Sequence, residues 1–322
     1  MPASTEPYRA PFWLPGGNAQ TIYAATLAPR PVVHYRRERW ETPDGDFIDL
    51  DWIDGAGNAP LLVLFHGLEG DSRGHYALSL MAAVRRHGWR GVVVHFRGCS
   101  GEMNRLPRAY HSGDAAEIDW ILRRLKAGSP GTPLYAMGVS LGGNALLKWL
   151  GEQGSAAQPV LQAAAAVSAP VDLHAAGRAL DSGFNLIYTR RFLATLRRKA
   201  LEKLARHPGI CDAAAVRGAA TLHRFDHVFT APLHGFASAD DYWTRASSKP
   251  WLAHIRVPTL LLNARNDPFL PASALPSQRE VAADVLLEFP GHGGHVGFVT
   301  GPFPGNLCWL PSRVLAFFDG QG

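Results

Sequence analysis

The chain has few cysteines and no long hydrophobic run. Its three cysteines among 322 residues, Cys99, Cys211 and Cys308, lie far apart, so the sequence offers neither a disulfide framework nor a CxxC zinc site. Apolar stretches such as LLVLF and LQAAAAV are far shorter than the roughly 18–20 residues of a membrane-spanning helix. The first residues, MPASTEPYRAPFW, lack the apolar core of a secretory signal. We therefore expect a globular, cytoplasmic protein without a transmembrane segment.

Charged residues are also scarce, at 18% of the chain, whereas hydrophobic residues make up 47%. This balance excludes an intrinsically disordered chain, and a chain of this length buries about three quarters of its unfolded surface. The net charge is +5, but the basic residues are spread in pairs along the chain and no nucleic-acid-binding motif accompanies them. We expect them on solvated helix faces, and we expect no nucleic acid as a partner.

Strand and helix patterns alternate through most of the chain. Residues 32–42 and 47–54 alternate as half-buried strands, and Pro43-Asp44-Gly45 between them predicts a hairpin turn. Uninterrupted apolar runs, typical of parallel strands buried on both faces, follow at 61–65, 91–96, 134–139, 162–168, 259–263 and 284–289. Helices are predicted at 74–87, 114–127, 141–153 and 306–318. An α/β fold follows, with a mostly parallel eight-stranded sheet flanked by helices.

Residues 170–250 interrupt this alternation with helical stretches alone. We expect a single domain over 1–322, with 170–250 as a helical cap insertion. Five leucines follow helical spacing there, at Leu186, Leu193, Leu196, Leu201 and Leu204, and basic residues fill the gaps at Arg190, Arg191, Arg197, Arg198, Lys199 and Lys203. The leucines either pack on the core or line a binding site. At the N-terminal end of the 114–127 helix, Asp114 and Glu117 fit a capping-box variant.

The sequence Gly138-Val139-Ser140-Leu141-Gly142 lies between a predicted buried strand and a predicted helix. A nucleophile elbow requires this context, because the serine must sit on a sharp turn above the sheet and the flanking backbone passes too close for side chains at the glycines. The amides that open the following helix favour a developing anion. The alternative is a glycine-rich turn with a passive serine. We interpret Ser140 as the nucleophile.

A serine nucleophile needs a base, and the base needs an orienting acid, in the chain order serine, acid, histidine. Asp267 follows the predicted strand at 259–263, where a doubly wound sheet places its site. Asp172, after the strand that ends at Ser168, is the rival acid, and Asp267 could instead serve only as a turn or capping residue. The loop after the last strand offers His292 and His295. These two also fit an HxxH metal site, but no third ligand lies near with suitable spacing.

Two backbone amides must stabilise the oxyanion of the tetrahedral intermediate. The residue after the nucleophile, Leu141, supplies one of them, and the loop after the third strand supplies the other. That loop is His66-Gly67-Leu68-Glu69-Gly70, in which Leu68 is the expected donor. We expect His66 to organise the loop by packing rather than to take part in the chemistry.

Together these residues resemble the α/β-hydrolase fold superfamily, and more narrowly its YheT-like branch, which includes eukaryotic abhydrolase-domain lipases and yeast ethyl-ester acyltransferases. The resemblance covers nearly the whole chain. Its motifs are Pro11-Phe12-Trp13-Leu14, Gln20-Thr21, the 66–70 loop, Phe96-Arg97-Gly98-Cys99-Ser100-Gly101, Tyr110-His111-Ser112-Gly113, the 137–144 elbow, Asp241-Tyr242-Trp243 with Ser247-Ser248, Asn266-Asp267-Pro268 and Gly293-Gly294-His295-Val296-Gly297-Phe298. It implies a Ser140–Asp267–His295 triad and ester hydrolysis or acyl transfer.

We therefore expect a serine carboxylesterase that acts on short- to medium-chain esters, lipid esters included, through an acyl-enzyme on Ser140 and without a metal or organic cofactor. The alternatives are an acyltransferase, in which an alcohol replaces water, and a catalytically silent binding module. The basic residues of the insertion further predict transient contact with anionic lipid surfaces. The sequence indicates no particular protein partner.

Overall fold

The structure, a computed structural model, describes residues 6–321. Residues 1–5 lie outside the described residues, as does Gly322. The first of these belong to the N-terminal segment in which the sequence predicts no secretory signal. Eight strands lie in the described part, β1 (Arg36–Glu41), β2 (Phe47–Ile53), β3 (Leu61–Phe65), β4 (Arg90–Val94), β5 (Leu134–Val139), β6 (Ala163–Val167), β7 (Thr259–Leu262) and β8 (Val285–Glu288). They form one sheet in the spatial order β1-β2-β4-β3-β5-β6-β7-β8.

Within the sheet, antiparallel pairing is confined to the strands at the beginning of the chain, as predicted. Strand β2 pairs antiparallel with both β1 and β4, whereas β4, β3, β5, β6, β7 and β8 pair in parallel. Every residue of β3, β5, β6 and β7 is buried, since helices cover both faces of the sheet. The predicted eight-stranded, mostly parallel sheet is therefore confirmed.

Helices cover both faces of the sheet and fill the interval between β6 and β7. They are α1 (Gly17–Thr26), α2 (His75–Arg86), α3 (Ala115–Gly128), α4 (Leu141–Gln153), α5 (Leu173–Leu180), α6 (Leu186–Arg206), α7 (Ala213–Gly218), α8 (Leu222–Phe225), α9 (Ala231–Leu233), α10 (Ala239–Ala246) and α11 (Trp309–Asp319). Helices α3 and α4 pack on one face of the sheet, while α2 and α11 pack on the other. No pattern in the sequence predicted α1.

Two local predictions need correction. The Asp114 carboxylate caps α3 by accepting from the Glu117 amide at 3.4 Å, but the Glu117 carboxylate binds Arg97 Nε at 2.7 Å. The expected capping box therefore lacks its return bond, because Arg97 competes for the glutamate. Helix α11 begins at Trp309 rather than near residue 306, because Asn306 forms an isolated bridge with Thr300.

The residues between β6 and β7 form α5 to α10, in agreement with the predicted absence of strand patterns there. Leu193 and Leu204 of α6 are buried in an apolar cluster of this segment, whereas Leu196 faces a cavity. The prediction that the basic residues lie on a solvated face is wrong for two lysines of α6. Lys203 is buried against Asn104, and Lys199 pairs with Glu69 at 2.9 Å.

Candidate active site

The residues singled out in the sequence meet at the carboxyl edge of the parallel strands. Ser140 directly follows β5, and Leu68 lies in the loop after β3. Asp267 and His295 lie in the loops after β7 and β8. Carboxyl ends of parallel strands share one edge of a sheet, which is where α/β folds place their sites.

Ser140 occupies a strained turn between β5 and α4, with φ 52° and ψ −120°. A Cβ on Gly138 would lie 2.4 Å from the Gly142 carbonyl oxygen, and one on Gly142 would lie 2.5 Å from the Phe65 carbonyl oxygen. Real Cβ atoms do not approach backbone so closely, so the strained turn requires both glycines. The spacing of the GxSxG sequence thus follows from the close approach of β5, α4 and β3.

Ser140, His295 and Asp267 form a continuous hydrogen-bonded chain. His295 Nε2 lies 3.0 Å from Ser140 Oγ, and His295 Nδ1 lies 3.0 Å from Asp267 Oδ2. The Asp267 carboxylate is fully buried and also accepts from the Phe269 amide at 2.8 Å. The Phe269 ring stacks on the imidazole with 4.0 Å between ring centres. This order lets the serine hydroxyl donate to Nε2 while Nδ1–H donates to the carboxylate.

The residues that the sequence offered as alternatives to Asp267 and His295 lie outside this hydrogen-bonded chain. The Asp172 carboxylate caps α5 by accepting from the Ala175 amide at 2.9 Å. His292 is exposed, and its Nδ1 lies 3.4 Å from Asn266 Nδ2. In residues 6–321, no three histidine, cysteine or carboxylate side chains group so that they could hold a metal ion.

Helix α1 supports the loop that carries His295. The Thr21 hydroxyl accepts from the His295 amide at 2.8 Å, and Gln20 Oε1 accepts from the Gly293 amide at 2.8 Å. Gln20 also accepts from Asn266 Nδ2 at 3.1 Å, so the acid loop and the histidine loop share one buried side chain. The sequence analysis missed this role. Gln20-Thr21 stood out there only as part of a resemblance, which does not reveal a contact some 270 residues away.

His66 organises the loop that carries Leu68, as expected. Its fully buried ring donates from Nδ1 to the Gly67 carbonyl at 2.7 Å and accepts at Nε2 from the Phe96 amide at 3.1 Å. Burial lowers the pKa of His66 to about 3, which keeps the imidazole neutral and able to play both roles. A Cβ on Gly67 would lie 3.1 Å from Ser140 Cβ. The loop therefore runs directly against the serine.

Glu69, the residue after Leu68 in this loop, forms bonds to Tyr110 and to the helical segment. Glu69, at φ 55°, donates its amide to the Tyr110 hydroxyl at 2.9 Å, and that hydroxyl donates to Glu69 Oε1 at 2.8 Å. Lys199 of α6 pairs with Glu69 Oε2 at 2.9 Å. None of these contacts was predicted, because nothing in the sequence relates the three residues. They fix the backbone on the carboxyl side of Leu68.

Leu141 opens α4 immediately after Ser140. The first amides of a helix have no carbonyl partner in a preceding turn, and the helix dipole adds partial positive charge at this end. Leu68, Ser140 and Leu141 line the same cavity. Both residues that carry the predicted amide donors therefore border the same cavity as the serine.

Comparison with known proteins identifies the family. The α/β-hydrolase fold family matches residues 60–302. YheT of Escherichia coli, which bears the name of an esterase, is 42% identical over 282 residues, which span 86% of this chain and 82% of YheT. The chain belongs to the α/β-hydrolase family. The predicted YheT-like branch is confirmed by the same match.

Further matches extend this assignment. The phospholipase ABHD3 of Mus musculus is 33% identical over 328 residues, which span 98% of this chain and 79% of ABHD3. The solved structure of the Pyrococcus furiosus esterase Pf2001 aligns with a TM-score of 0.58 at 16% identity, over 91% of this hydrolase and 97% of the other chain. At that identity the structural match supports the fold alone.

The first of two cavities that meet at Ser140 is mainly apolar. This cavity, called the acyl-side cavity below, has a volume of about 160 Å³ and lies between the sheet edge and the helical segment. Its apolar walls include Leu68, Leu141, Leu173, Leu180, Phe192, Leu196, Phe225, Phe229, Trp243 and Phe269. Apolar cavities with a few polar groups are typical of ligand sites.

The second cavity of the α/β hydrolase, the polar cleft, opens on the other side of Ser140. Its volume is about 520 Å³, and its walls come from α1, α6, the loop before α2 and the loop of His295. Both cavities contact Leu68, Ser140 and Phe269. Ser140 thus lies at the junction of an apolar space and a more polar one. Within residues 6–321, no helix is long and apolar enough to cross a membrane.

Proposed function

We propose that the protein is a serine carboxylesterase that works through an acyl-enzyme on Ser140. Ester-bond hydrolysis is the reaction class of the relatives, among them YheT and ABHD3 by name. The observation that carries the proposal is the chain from Ser140 Oγ through His295 to Asp267, with 3.0 Å at each step. A binding module has no need of a base hydrogen-bonded to an acid and to a hydroxyl.

The proposed reaction follows from these contacts. His295 Nε2 takes the Ser140 proton as Oγ attacks the ester carbonyl, and Asp267 stabilises the resulting imidazolium. Collapse of the tetrahedral intermediate breaks the bond to the alcohol oxygen, which receives the proton from His295. Water then gives a proton to His295 and attacks the acyl-enzyme, and release of the carboxylic acid restores Ser140. No metal or organic cofactor takes part in these steps.

We propose the amides of Leu68 and Leu141 as the oxyanion hole. Both residues border the cavity at Ser140, and two preorganised amides stabilise charge that develops only in the transition state. The bonds from Glu69 to Tyr110 and Lys199 hold the Leu68 side of this pair in place. Loss of one such donor typically costs about 10²–10³ in rate.

We propose that residues 170–250 act as a cap within a single domain, 1–322, and select the acyl chain. Phe192, Leu196, Phe225 and Phe229 of this segment line the acyl-side cavity. Burial of each additional methylene against such walls favours a longer acyl chain until the space is filled. Short- to medium-chain esters, lipid esters included, are the proposed substrates.

The experiment is hydrolysis of a p-nitrophenyl ester series from acetate to palmitate by wild type and Ser140→Ala. The wild type should show a maximum at one chain length, and the variant should lose on the order of 10⁶ in kcat. Full turnover by the variant would contradict the proposal. Failure of both the ester series and a fluorophosphonate probe with wild type would instead favour the binding-module alternative.

Added ethanol or glycerol distinguishes hydrolysis from acyl transfer. Because both reactions share the acyl-enzyme, only the products differ, and mass spectrometry should detect the free acid as the main product of an esterase. A predominance of the new ester would assign the acyltransferase activity. The rate of Ser140 acylation should be the same in both cases.

We propose that the protein also contacts anionic lipid surfaces transiently. Leu27, just after α1, is 70% exposed, and Phe184, just before α6, and Ile187, in its first turn, are 54% and 52% exposed. The exposed Arg190 and Arg191 follow on α6, and apolar anchors beside basic residues are typical of interfacial helices. Vesicles with anionic lipid should sediment more protein than zwitterionic vesicles, and Phe184→Ser with Ile187→Ser should reduce the difference. Equal sedimentation by both vesicle types would refute this contact.

We propose a cytoplasmic location, supported by three unpaired cysteines, Cys99, Cys211 and Cys308. Oxidising compartments favour paired cysteines. Cell fractionation with an activity readout tests the location, and recovery of the activity in the secreted or periplasmic fraction would contradict it.

A further inference from the structure

The polar cleft carries an excess of positive charge. Three arginines line it, Arg30 after α1, Arg73 before α2 and Arg191 on α6. All three are exposed, and among the described residues none of them forms an ion pair with a carboxylate. Guanidinium groups that converge on one cavity without acidic partners are typical of sites for phosphate or carboxylate.

The two carboxylates in the cleft walls do not cancel this charge. Glu69 is already paired with Lys199 at 2.9 Å and accepts from the Tyr110 hydroxyl at 2.8 Å. Asp71 accepts from the backbone amide of Arg73 at 2.8 Å and offsets at most one of the three guanidinium charges. The cleft therefore keeps a net positive charge beside Ser140.

The start of α2 adds to this potential. Gly74, His75 and Tyr76 line the cleft, and neither a side-chain cap nor an acidic residue is present in the described first turn of this helix. The amides at a helix N-terminus favour negative charge. His75 Nε2 is occupied by the Val296 carbonyl at 2.9 Å, so its ring is not available to the cleft.

We propose that the polar cleft binds an anionic, phosphate-type group on the alcohol part of the ester. This proposal rests on the proposed function, because Ser140 lies at the junction of the two cavities. The acyl-side cavity also borders three cations, but each is held by a partner of its own: Lys199 by Glu69, Arg97 by Glu117 and Lys203 by Asn104. A phosphate buried among its apolar walls would therefore be costly, so an ester bound across the junction places its acyl chain there and its alcohol on the other side. The alcohol then occupies the cleft, where Arg73 and Arg191 can bind its charge.

The test compares two soluble esters with the same acyl chain, hexanoyl-glycerol 3-phosphate and monohexanoylglycerol. Wild type should favour the phosphate ester by about tenfold or more in kcat/KM. Arg73→Gln and Arg191→Gln should each reduce kcat/KM for the phosphate ester by about five- to tenfold. The same variants should leave the value for the neutral ester within about twofold, because that substrate makes no charged contact.

Arg190→Gln is the matched control. Arg190 precedes Arg191 on α6 and is equally classed as exposed, but it contributes to neither cavity wall. The control should keep the wild-type preference. If Arg190→Gln lowers turnover of the phosphate ester as much as Arg191→Gln does, the cleft site is refuted, and so it is if wild type shows no preference between the two esters.

A second arm identifies the source of the anion. Vesicles that contain phosphatidic acid are compared with vesicles that contain diacylglycerol at the same acyl length. Arginine dependence with the soluble ester alone assigns a soluble phosphate ester, and dependence with the vesicles alone that exceeds the loss shown by Arg190→Gln assigns a lipid headgroup. Dependence with neither overturns the proposal, and so does a loss with the vesicles alone that is no larger than that of Arg190→Gln, because it reflects contact with the anionic surface. Hydrolysis of p-nitrophenyl butyrate by every variant shows that the triad is intact, so a failure of the cleft is distinct from a failure of the esterase.

Discussion

The carboxyl edge of the sheet and the helical segment between β6 and β7 contribute in different ways to the same site. The edge carries Ser140, directly after a strand, and Asp267 and His295, in the loops that follow two further strands. The three side chains are joined by contacts of 3.0 Å. The helical segment contributes none of these three residues. It instead packs around its own apolar cluster, which includes Leu193 and Phe225, and supplies cavity walls.

Under the proposed function, this difference separates the reaction from substrate selection. The strand ends before Ser140 and Asp267 fix these residues because β5 and β7 are fully buried and cannot shift without loss of the core. Side chains of packed helices can change size at lower cost, since their cavity is not filled by the protein. Substitutions at the sheet edge should therefore lower kcat for every ester, whereas substitutions in the helical segment should change which ester is preferred.

The largest expected effect is at the acid of the sheet edge. Asp267→Asn should lower kcat/KM by about 10⁴, because the amide favours the wrong imidazole tautomer and does not stabilise the imidazolium. The measurement is p-nitrophenyl butyrate hydrolysis at saturating and limiting substrate concentrations. A change smaller than about tenfold would remove Asp267 from the proposed triad.

Asp172→Asn is the control, because Asp172 is the rival acid of the sequence. Its carboxylate caps α5, and asparagine caps helices about as well as aspartate. Activity should therefore stay within about threefold of wild type. If Asp172→Asn proved the more damaging variant, the acid would have to be reassigned.

The second effect concerns the stability of the helical segment. Asp226 is half-buried there, in the wall of the acyl-side cavity, and the loss of water around its carboxyl raises its pKa from 3.8 to about 6. The carboxyl accepts from Trp243 Nε1 at 2.8 Å and from the Thr230 hydroxyl at 2.7 Å. Asp226→Asn keeps one acceptor oxygen and removes the titration. We therefore expect the free energy of unfolding to depend on pH differently in wild type and in Asp226→Asn.

The sign follows from the two pKa values. As the pH rises from about 4 to about 6, the unfolded chain loses the Asp226 proton while the folded protein retains it, so rising pH favours unfolding. Wild type should lose up to about 3 kcal/mol across this range relative to Asp226→Asn. Urea denaturation at pH 4 and pH 7 measures the difference. Asp284→Asn, at an exposed carboxylate, is the control, and an equal change in both variants would contradict the prediction.

The sequence predicted the residues at the carboxyl edge of the sheet far better than the residues that hold them in place. Apolar runs gave the strands at 61–65 and 134–139 to the residue, because a strand buried on both faces has no other composition available. The GxSxG glycines placed Ser140 because their approach to neighbouring backbone allows no Cβ. Backbone constraints of this kind are local, and a sequence records them directly.

Contacts between residues far apart in the chain could not be recognised in the sequence in this way. Gln20 and Thr21 hold the His295 loop from α1, whose residues have no clear apolar periodicity, and Lys199 is inseparable in the sequence from the exposed arginines around it. The two lysines of α6 face inward because Glu69 and Asn104 offer partners there. A helical spacing shows which residues share a face, but it does not show what that face meets.

A smaller effect tests whether the edge depends on α1. Thr21→Val removes the hydroxyl that accepts from the His295 amide at 2.8 Å, and displacement of the imidazole should lower kcat by about 10- to 100-fold. Thr26→Val is matched to it, because both hydroxyls donate to the carbonyl four residues earlier on α1 and both residues line the polar cleft. Ester turnover and thermal unfolding of both variants are measured. Equal kcat values would show that the hydroxyl of Thr21 does not position the base.

The smallest effect lies in the helical segment and should change preference rather than rate. Leu196→Trp places a larger side chain in the acyl-side cavity, so the ratio of kcat/KM for decanoate to that for butyrate should fall by about tenfold, with butyrate turnover nearly unchanged. Leu201→Trp is the control, because Leu201 lies on α6 in the apolar cluster but outside the cavity wall. An equal fall in turnover for both esters would mean that Leu196 affects the reaction itself, as residues at the carboxyl edge of the sheet do, and not the choice of ester. The division between reaction and selection would then fail at α6.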